Sequence, residues 1–211
     1  MRSRPPDGCS LRANGHPLDP LDPLDPWALP LSLDSTSPSS ATICSKWIVA
    51  QFVGGRVYVR TGGSQRHDVI AGLIYDVLSP GVRSARCLLF MANRILVTPA
   101  GNAYYPDMFV SCGPGAKRLH EVDASLILEV LSPSTADIDR REKAVAYAQL
   151  PGLELYLLVH PDSLRMEAAR PQGGTIGSWQ TYGAGHVVAT LFGGLDIDAL
   201  HDDLDRRVTV D

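Results

Sequence analysis

Leu126-Ile127-Leu128-Glu129-Val130-Leu131 sets one carboxylate among five apolar side chains, and the run reads as a central strand. An isolated ionised glutamate there costs several kcal/mol of desolvation unless it is paired or binds a metal. A second carboxylate, Asp107, stands in Tyr104-Tyr105-Pro106-Asp107-Met108-Phe109-Val110, where the residues that follow it are again apolar. Proline directly before it points to a bulge or a strand edge, where side chains are re-aimed. If the two strands are neighbours, Asp107 and Glu129 converge on one end of a sheet. Two hard oxygen donors with open positions suit Mg²⁺, which keeps several waters. Such an ion activates water and stabilises charge on a phosphodiester oxygen. Salt bridges to some of the sixteen arginines are the alternative, and composition leaves both readings open.

Working outward, Ser134 or Thr135 can cap a helix running to about Leu150, closed by Pro151-Gly152. Asp139, Lys143 and Tyr147 fall at i, i+4 and i+8 on one face of it. The chain has only three lysines, Lys46, Lys117 and Lys143, and one lies in this register. An ammonium there can position a metal-bound water or stabilise developing negative charge. The plainer reading is an Asp-Lys helix pair contributing a few tenths of a kcal/mol. Upstream, Lys46 to Arg60 reads as two short strands around Gly54-Gly55, and a helix is expected from about Ser64 to Leu78, stopped by Pro80-Gly81. Strands follow at Cys87 to Met91, Arg94 to Val97 and Tyr104 to Cys112. Downstream, Leu153 to Val159 is a buried strand, Leu164 to Ala169 starts a hairpin-like segment, and a polar helix lies near Ile197 to Leu204. Mixed strands with two main helices indicate an α/β or α+β sandwich.

Size and composition agree with one domain: 211 residues, 45% hydrophobic and 20% charged. No apolar stretch approaches the roughly 20 residues of a membrane-spanning helix. Arg2 and Arg4 lead into no apolar run, so a secretory signal is not expected and the cytoplasm is the default location. The net charge of −4 argues against coating nucleic acid non-specifically, so any such contact is local. Cys9, Cys44, Cys87 and Cys112 form no C-x-x-C pair, which disfavours a zinc knuckle. Cys87 and Cys112 are expected to be buried free thiols. Residues 1–45 hold eight of the sixteen prolines, eight serines and the tandem repeat Leu18-Asp19-Pro20, Leu21-Asp22-Pro23, Leu24-Asp25-Pro26. They read as a disordered extension, with a docking arm or a start assigned too far upstream as alternatives. The domain is then residues 46–211.

Taken together, Tyr104-Tyr105-Pro106-Asp107, Leu128-Glu129-Val130-Leu131-Ser132-Pro133-Ser134-Thr135 and Asp139-x-x-x-Lys143-x-x-x-Tyr147 resemble the Uma-type putative restriction endonucleases of the PD-(D/E)XK nuclease superfamily. Val53-Gly54-Gly55-Arg56-Val57-Tyr58, Ser64-Gln65-Arg66-His67-Asp68-Val69-Ile70 and Leu155-Tyr156-Leu157-Leu158-Val159-His160-Pro161 fit the same family. The resemblance thus covers about Lys46 to Leu204 in order. It implies a restriction-endonuclease-like fold, a mixed central sheet flanked by helices with added short strands. It also implies Asp107 and Glu129 as metal ligands. The superfamily's lysine normally follows the glutamate by two residues, where this chain has Leu131, and the resemblance moves that role to Lys143. Arg56 departs from the pattern, since relatives usually carry an acidic residue after the turn glycine. A guanidinium there reverses a charge beside a cationic metal.

His67 opens the first long helix at the family's customary histidine position, either lining the cleft or capping and packing. The leading expectation is a Mg²⁺-dependent endonuclease, with Mn²⁺ as a substitute, acting on DNA; a homodimer is the expectation for enzymes of this kind that cut both strands. A catalytically silent nuclease-fold module binding nucleic acid or a protein partner is the alternative, and Arg56 favours it. Accessory candidates are His67, Asp139, Tyr147 and Arg56. Read as a surface helix residue, Lys143 is expected to tolerate alanine with little loss of stability.

Overall fold

Five consecutive buried residues, Leu126–Val130 (β9), form a strand covered on both faces, and the layers of the fold follow from their alternation. The structure is a computed structural model, describing residues 12–13, 16–17, 50–53, 56–59, 63–113, 119–133 and 135–208, with the backbone alone for those before residue 63. The chain divides into two units, Met1–Ile48 and Val49–Asp211. In the first, Arg12–Ala13 (β1) pairs antiparallel with His16–Pro17 (β2). The rest of the expected N-terminal extension lies outside the described residues.

The second unit opens with Ala50–Val53 (β3) and Arg56–Val59 (β4), which pair antiparallel. Helix α1, Gln65–Ser84, is capped by Ser64, whose side chain accepts from the His67 amide at 3.2 Å. Leu88–Met91 (β5), Leu96–Val97 (β6), Ala103–Tyr104 (β7) and Met108–Ser111 (β8) follow. After β9 come Ala136–Ile138 (α2), a π-helical turn over Asp139–Lys143, and Ala144–Tyr147 (α3). The chain continues through Leu155–His160 (β10), Arg165–Ala169 (β11), Pro171–Gln172 (β12), Thr175–Ile176 (β13) and Gln180–Tyr182 (β14). Val187–Thr190 (β15), Gly193–Asp196 (β16) and Ile197–Arg207 (α4) complete it.

Six strands make the central sheet in the order β14-β11-β10-β9-β8-β5, a mixed α/β arrangement. Only β9 and β10 are parallel. Parallel neighbours need a long crossover, and the segment Ala136–Tyr147 supplies it as a helical layer over one face. Leu126, Leu128 and Val130 face α1 and α4, packing with Ile70, Leu73, Ile74 and Leu78. Ile127 and Leu131 face the crossover, with Ala144, Tyr147, Tyr156 and Leu158. A smaller sheet, β4-β3-β7-β6, flanks the first.

Three expectations change. The stretch Tyr104 to Cys112 is two strands in two different sheets, because Pro106 has no amide to donate and the ladder breaks there. Asp107 sits at that changeover. Helix α1 runs past Pro80-Gly81 to Ser84. Gly81 is needed at that point for packing rather than for stopping the helix: a β-carbon on it would lie 1.9 Å from the Phe192 carbonyl oxygen. Finally, Cys87 and Cys112 are a disulfide, not free thiols. The β5–β8 register sets Leu88 opposite Ser111, so the flanking cysteines face each other with α-carbons 4.4 Å apart. No spacing rule in the sequence reveals a pair made by strand register. Among the described residues no helix is long and apolar enough to cross a membrane.

Gly81→Ala separates helix propensity from packing. Alanine gains up to about 1 kcal/mol in a helix interior, but overpacking against a rigid backbone costs about 1–3 kcal/mol. The expected outcome in a thermal melt is a lower Tm; an increase would show that the Phe192 backbone yields freely.

Candidate active site

The β8–β9 register pairs Met108 with Leu128, and one step further it brings Asp107 opposite Glu129. The Val130 amide donates to Asp107 Oδ2 at 2.9 Å, fixing the carboxylate across the strand pair. His67, in the first turn of α1, reaches the same oxygen with Nε2 at 3.2 Å, and its Nδ1 faces Asp68 Oδ1 at 3.1 Å. Gly63 makes room for that ring, since a β-carbon there would lie 2.7 Å from Nδ1. With a carboxylate at each nitrogen the ring is suited to donate twice. The hydrogen bond to Asp107 raises the His67 pKa, burial opposes it, and the charges of Asp107 and Asp68 add to the rise.

Glu129 points to the crossover side. Tyr147 donates its hydroxyl to Glu129 Oε1 at 2.9 Å, and Lys143 Nζ stands 2.9 Å from the same oxygen. Lys143 Nζ also lies 2.8 Å from Asp139 Oδ1. Asp139 and Lys143 begin and end the π turn, and both are buried. Tyr156 donates to the Asp139 carbonyl at 2.9 Å, pinning the turn to β10. Single π turns of this kind recur at functional sites. Tyr104, Tyr147 and Tyr156 stack edge to face, with ring centroids 5.2 and 5.4 Å apart, and wall off this side of the sheet.

The site carries more negative than positive side chains. Burial pushes the Glu129 carboxyl up to about 8; Lys143 pulls it down, while Asp107 and Asp139 push it further up. Burial alone would lower the Lys143 pKa, but Glu129 and Asp139 outweigh it and hold the ammonium charged. Burial, then Glu129, raises Tyr147 well above its ordinary value, so its hydroxyl stays a donor. Asp139 Oδ2, also buried, has no hydrogen-bond partner among the described residues. Surplus carboxylate oxygen of this kind fits a hard divalent cation. Among the described residues no group of three or more His, Cys, Asp and Glu is arranged to hold a metal. Asp107 and Glu129 are a pair, and a pair of carboxylates with retained waters is what Mg²⁺ usually takes.

Asp107, Glu129, Lys143, His67, Asp139 and Tyr147 therefore share one neighbourhood. Arg56 opens β4 opposite Val53, and only its strand position is described. Two neighbours were not foreseen. Tyr156 could have been found, since Tyr156 and Leu158 alternate on the same side of β10. Arg140 could not: its partner Glu167 is 27 residues away. Arg140 Nη2 and Nε reach Glu167 Oε1 and Oε2 at 2.6 and 3.3 Å, His160 Nε2 lies 2.8 Å from Oε1, and Arg165 Nη2 lies 3.1 Å from it.

A family model named Uma2, described as "Putative restriction endonuclease", matches residues 44–199. The chain belongs to this family. Two relatives from Synechocystis sp. are similar to it. One, named uncharacterized protein slr1290, is 30% identical over 120 residues, 56% of this chain and 63% of that protein. The other, uncharacterized protein sll1609, is 25% identical over 123 residues, 56% of this chain and 70% of the relative. The match thus spans just under two thirds of the first relative's length. Among solved structures, the crystal structure of a putative nuclease belonging to DUF820 from Anabaena variabilis superposes with a TM-score of 0.62. It is 16% identical, with 74% of this chain and 90% of that one covered, and at that identity the likeness establishes the shared Uma2-type fold.

The buried position of Lys143 reverses the expectation that alanine is tolerated there. Removing one partner of a buried ion pair costs about 3–5 kcal/mol. Lys143→Ala is expected to lower Tm by roughly 10 °C at about 2–4 °C per kcal/mol, and the pair Lys143→Met with Glu129→Gln to recover part of the loss. An unchanged melt for the single variant would mean that solvent reaches Glu129 and Asp139.

Glu167 gives a second test, by pH. Burial raises its carboxyl, but hydrogen bonds from Arg140 and His160, with the charges of Arg140 and Arg165, outweigh burial and hold it at about 2. A depressed carboxylate contributes its stability above the unfolded value and loses it as pH falls toward the folded one. Wild type should therefore lose stability between about pH 4.5 and 2, and Glu167→Gln should show a shallower decline in urea melts over that range. Parallel pH profiles would remove Glu167 from the acid transition.

Proposed function

We propose that this chain is a Mg²⁺-dependent endonuclease that hydrolyses phosphodiester bonds of DNA, with Mn²⁺ as a substitute ion. The observation that supports it most is the excess of buried carboxylate over ammonium: Glu129 and Asp139 against Lys143, with buried Asp107 opposite Glu129 across the β8–β9 pair. Asp107 and Glu129 would hold the ion. Bound there, it would supply charge stabilisation at a phosphodiester oxygen and activation of a water. The chain's own groups prepare that place. Val130 and His67 orient Asp107, and Tyr147 and Lys143 orient Glu129 through Oε1. The Lys143 ammonium is held charged in a site of low dielectric, where it stabilises negative charge building on a phosphate or a water. A cytoplasmic location, where a Cys87–Cys112 pair would tend to be reduced, and a homodimer able to act on both strands belong to the same reading.

The second reading, a silent module on the nuclease fold, draws on Arg56. In the family pattern an acidic residue stands there, and Arg56 replaces that negative group with a cation.

Plasmid nicking separates them. Wild type is expected to nick supercoiled DNA with Mg²⁺ or Mn²⁺ and to stop in EDTA. Asp107→Asn and Glu129→Gln, which keep size and fold, should each lose at least about 100-fold in rate, with melts confirming that they are folded. A folded wild type inert with both ions would leave the silent module standing. Cleavage unchanged in both variants would move the reaction elsewhere on the molecule.

A further inference from the structure

Four strands carry the site into a second cluster. Glu129 pairs with Leu158 across β9–β10, and Leu158 pairs with Glu167 across β10–β11. Residues directly opposite each other in a sheet point to the same face, so Asp107, Glu129, Leu158 and Glu167 form one row. Two inter-strand steps put Glu167 about 10 Å from Glu129. Each phosphate of a duplex strand advances about 3.4 Å along the axis, so that distance corresponds to roughly three nucleotides.

The cluster at Glu167 is cationic. One carboxylate, with a side chain only 6% exposed, faces two guanidinium groups and an imidazole. Arg140 and Arg165 are 31% and 48% exposed. Arg140 spends Nε and Nη2 on Glu167, and its Nη1 has no hydrogen bond among the described residues. A fork fixed on one side with a free donor on the other is the arrangement that receives a phosphate oxygen. Arg140 also follows Asp139 directly in the π turn, so one segment supplies both the carboxylate side of the site and its cationic neighbour. With a chain charge of −4, attraction for a polyanion has to come from such local groups.

We propose that Arg140, positioned by Glu167 and His160, binds a backbone phosphate of DNA a few nucleotides from the bond cut at Asp107 and Glu129. This rests on the endonuclease reading and adds to it the residue that sets the path of the strand. Arg165 lines the same path as a weaker, more exposed contact.

The test is fluorescence anisotropy of a labelled duplex over a KCl series in Ca²⁺, alongside nicking kinetics in Mg²⁺. Arg140→Ala should weaken binding about tenfold and reduce the slope of log Kd against log salt by about one. KM should rise while kcat changes less than about threefold. Glu167→Gln, which loosens the fork and removes one negative charge but keeps the Arg140 guanidinium, should fall between Arg140→Ala and wild type. The exposed neighbour variant Arg141→Ala should match wild type. Should Arg140→Ala not fold, Arg140→Gln is measured in its place. A lower Tm with an unchanged salt slope and KM would make Arg140 a structural staple between the π turn and β11 and overturn the proposal. Wild type that neither binds nor nicks DNA would instead bring down the endonuclease reading beneath it.

Discussion

A carboxyl group in the middle of a strand that is buried on both faces must find a cation and a hydrogen-bond donor or take up a proton, or the strand cannot stay buried. Glu129 meets that requirement through Lys143 and Tyr147, both delivered by the crossover between β9 and β10. The requirement fixes more than the side chains. A crossover of this length could lie over the sheet in several rotations, but only one turns Asp139, Lys143 and Tyr147 inward together. The π turn and the Tyr156 hydroxyl on the Asp139 carbonyl hold that rotation. Desolvation of one residue thus organises a whole layer.

How much of this could be read beforehand follows the range of each interaction. The β9 run, the Ser64 cap and the helical spacing of Asp139, Lys143 and Tyr147 are local, and the sequence displays them directly. The pairing of Asp107 with Glu129 was inferable only as a condition, that their strands be neighbours, because register is a property of two distant segments. The same limit hid the Cys87–Cys112 disulfide and the Arg140–Glu167 fork. Pro80-Gly81 misled for a different reason. Those residues ordinarily stop helices, yet the close approach of the Phe192 backbone makes glycine the residue that fits inside this one.

The superposition with the Anabaena variabilis structure, at 16% identity, shows that very different sequences reach this fold. The buried apolar runs of β9 and β10 are a requirement that many residues can meet. Pro106 is of another kind. By ending one strand and starting the next in a different sheet, it turns Asp107 toward Glu129 rather than leaving it along a continuous edge. A backbone restriction there does what a side-chain contact does elsewhere.

Charge links the two ends of the row from Asp107 to Glu167. At one end three carboxylates outnumber one ammonium; at the other, two guanidinium groups outnumber one carboxylate. Neither imbalance is the cheapest way to build a core, since matched apolar side chains would avoid the desolvation altogether. A stability argument therefore accounts for each pair but not for the surplus at either end. Under the endonuclease proposal, a phosphodiester strand with a divalent cation would account for both. The cation would answer the carboxylates and phosphates a few nucleotides away would answer the arginines. On that reading the two surpluses are opposite in sign because an anionic strand and a cation would be held side by side.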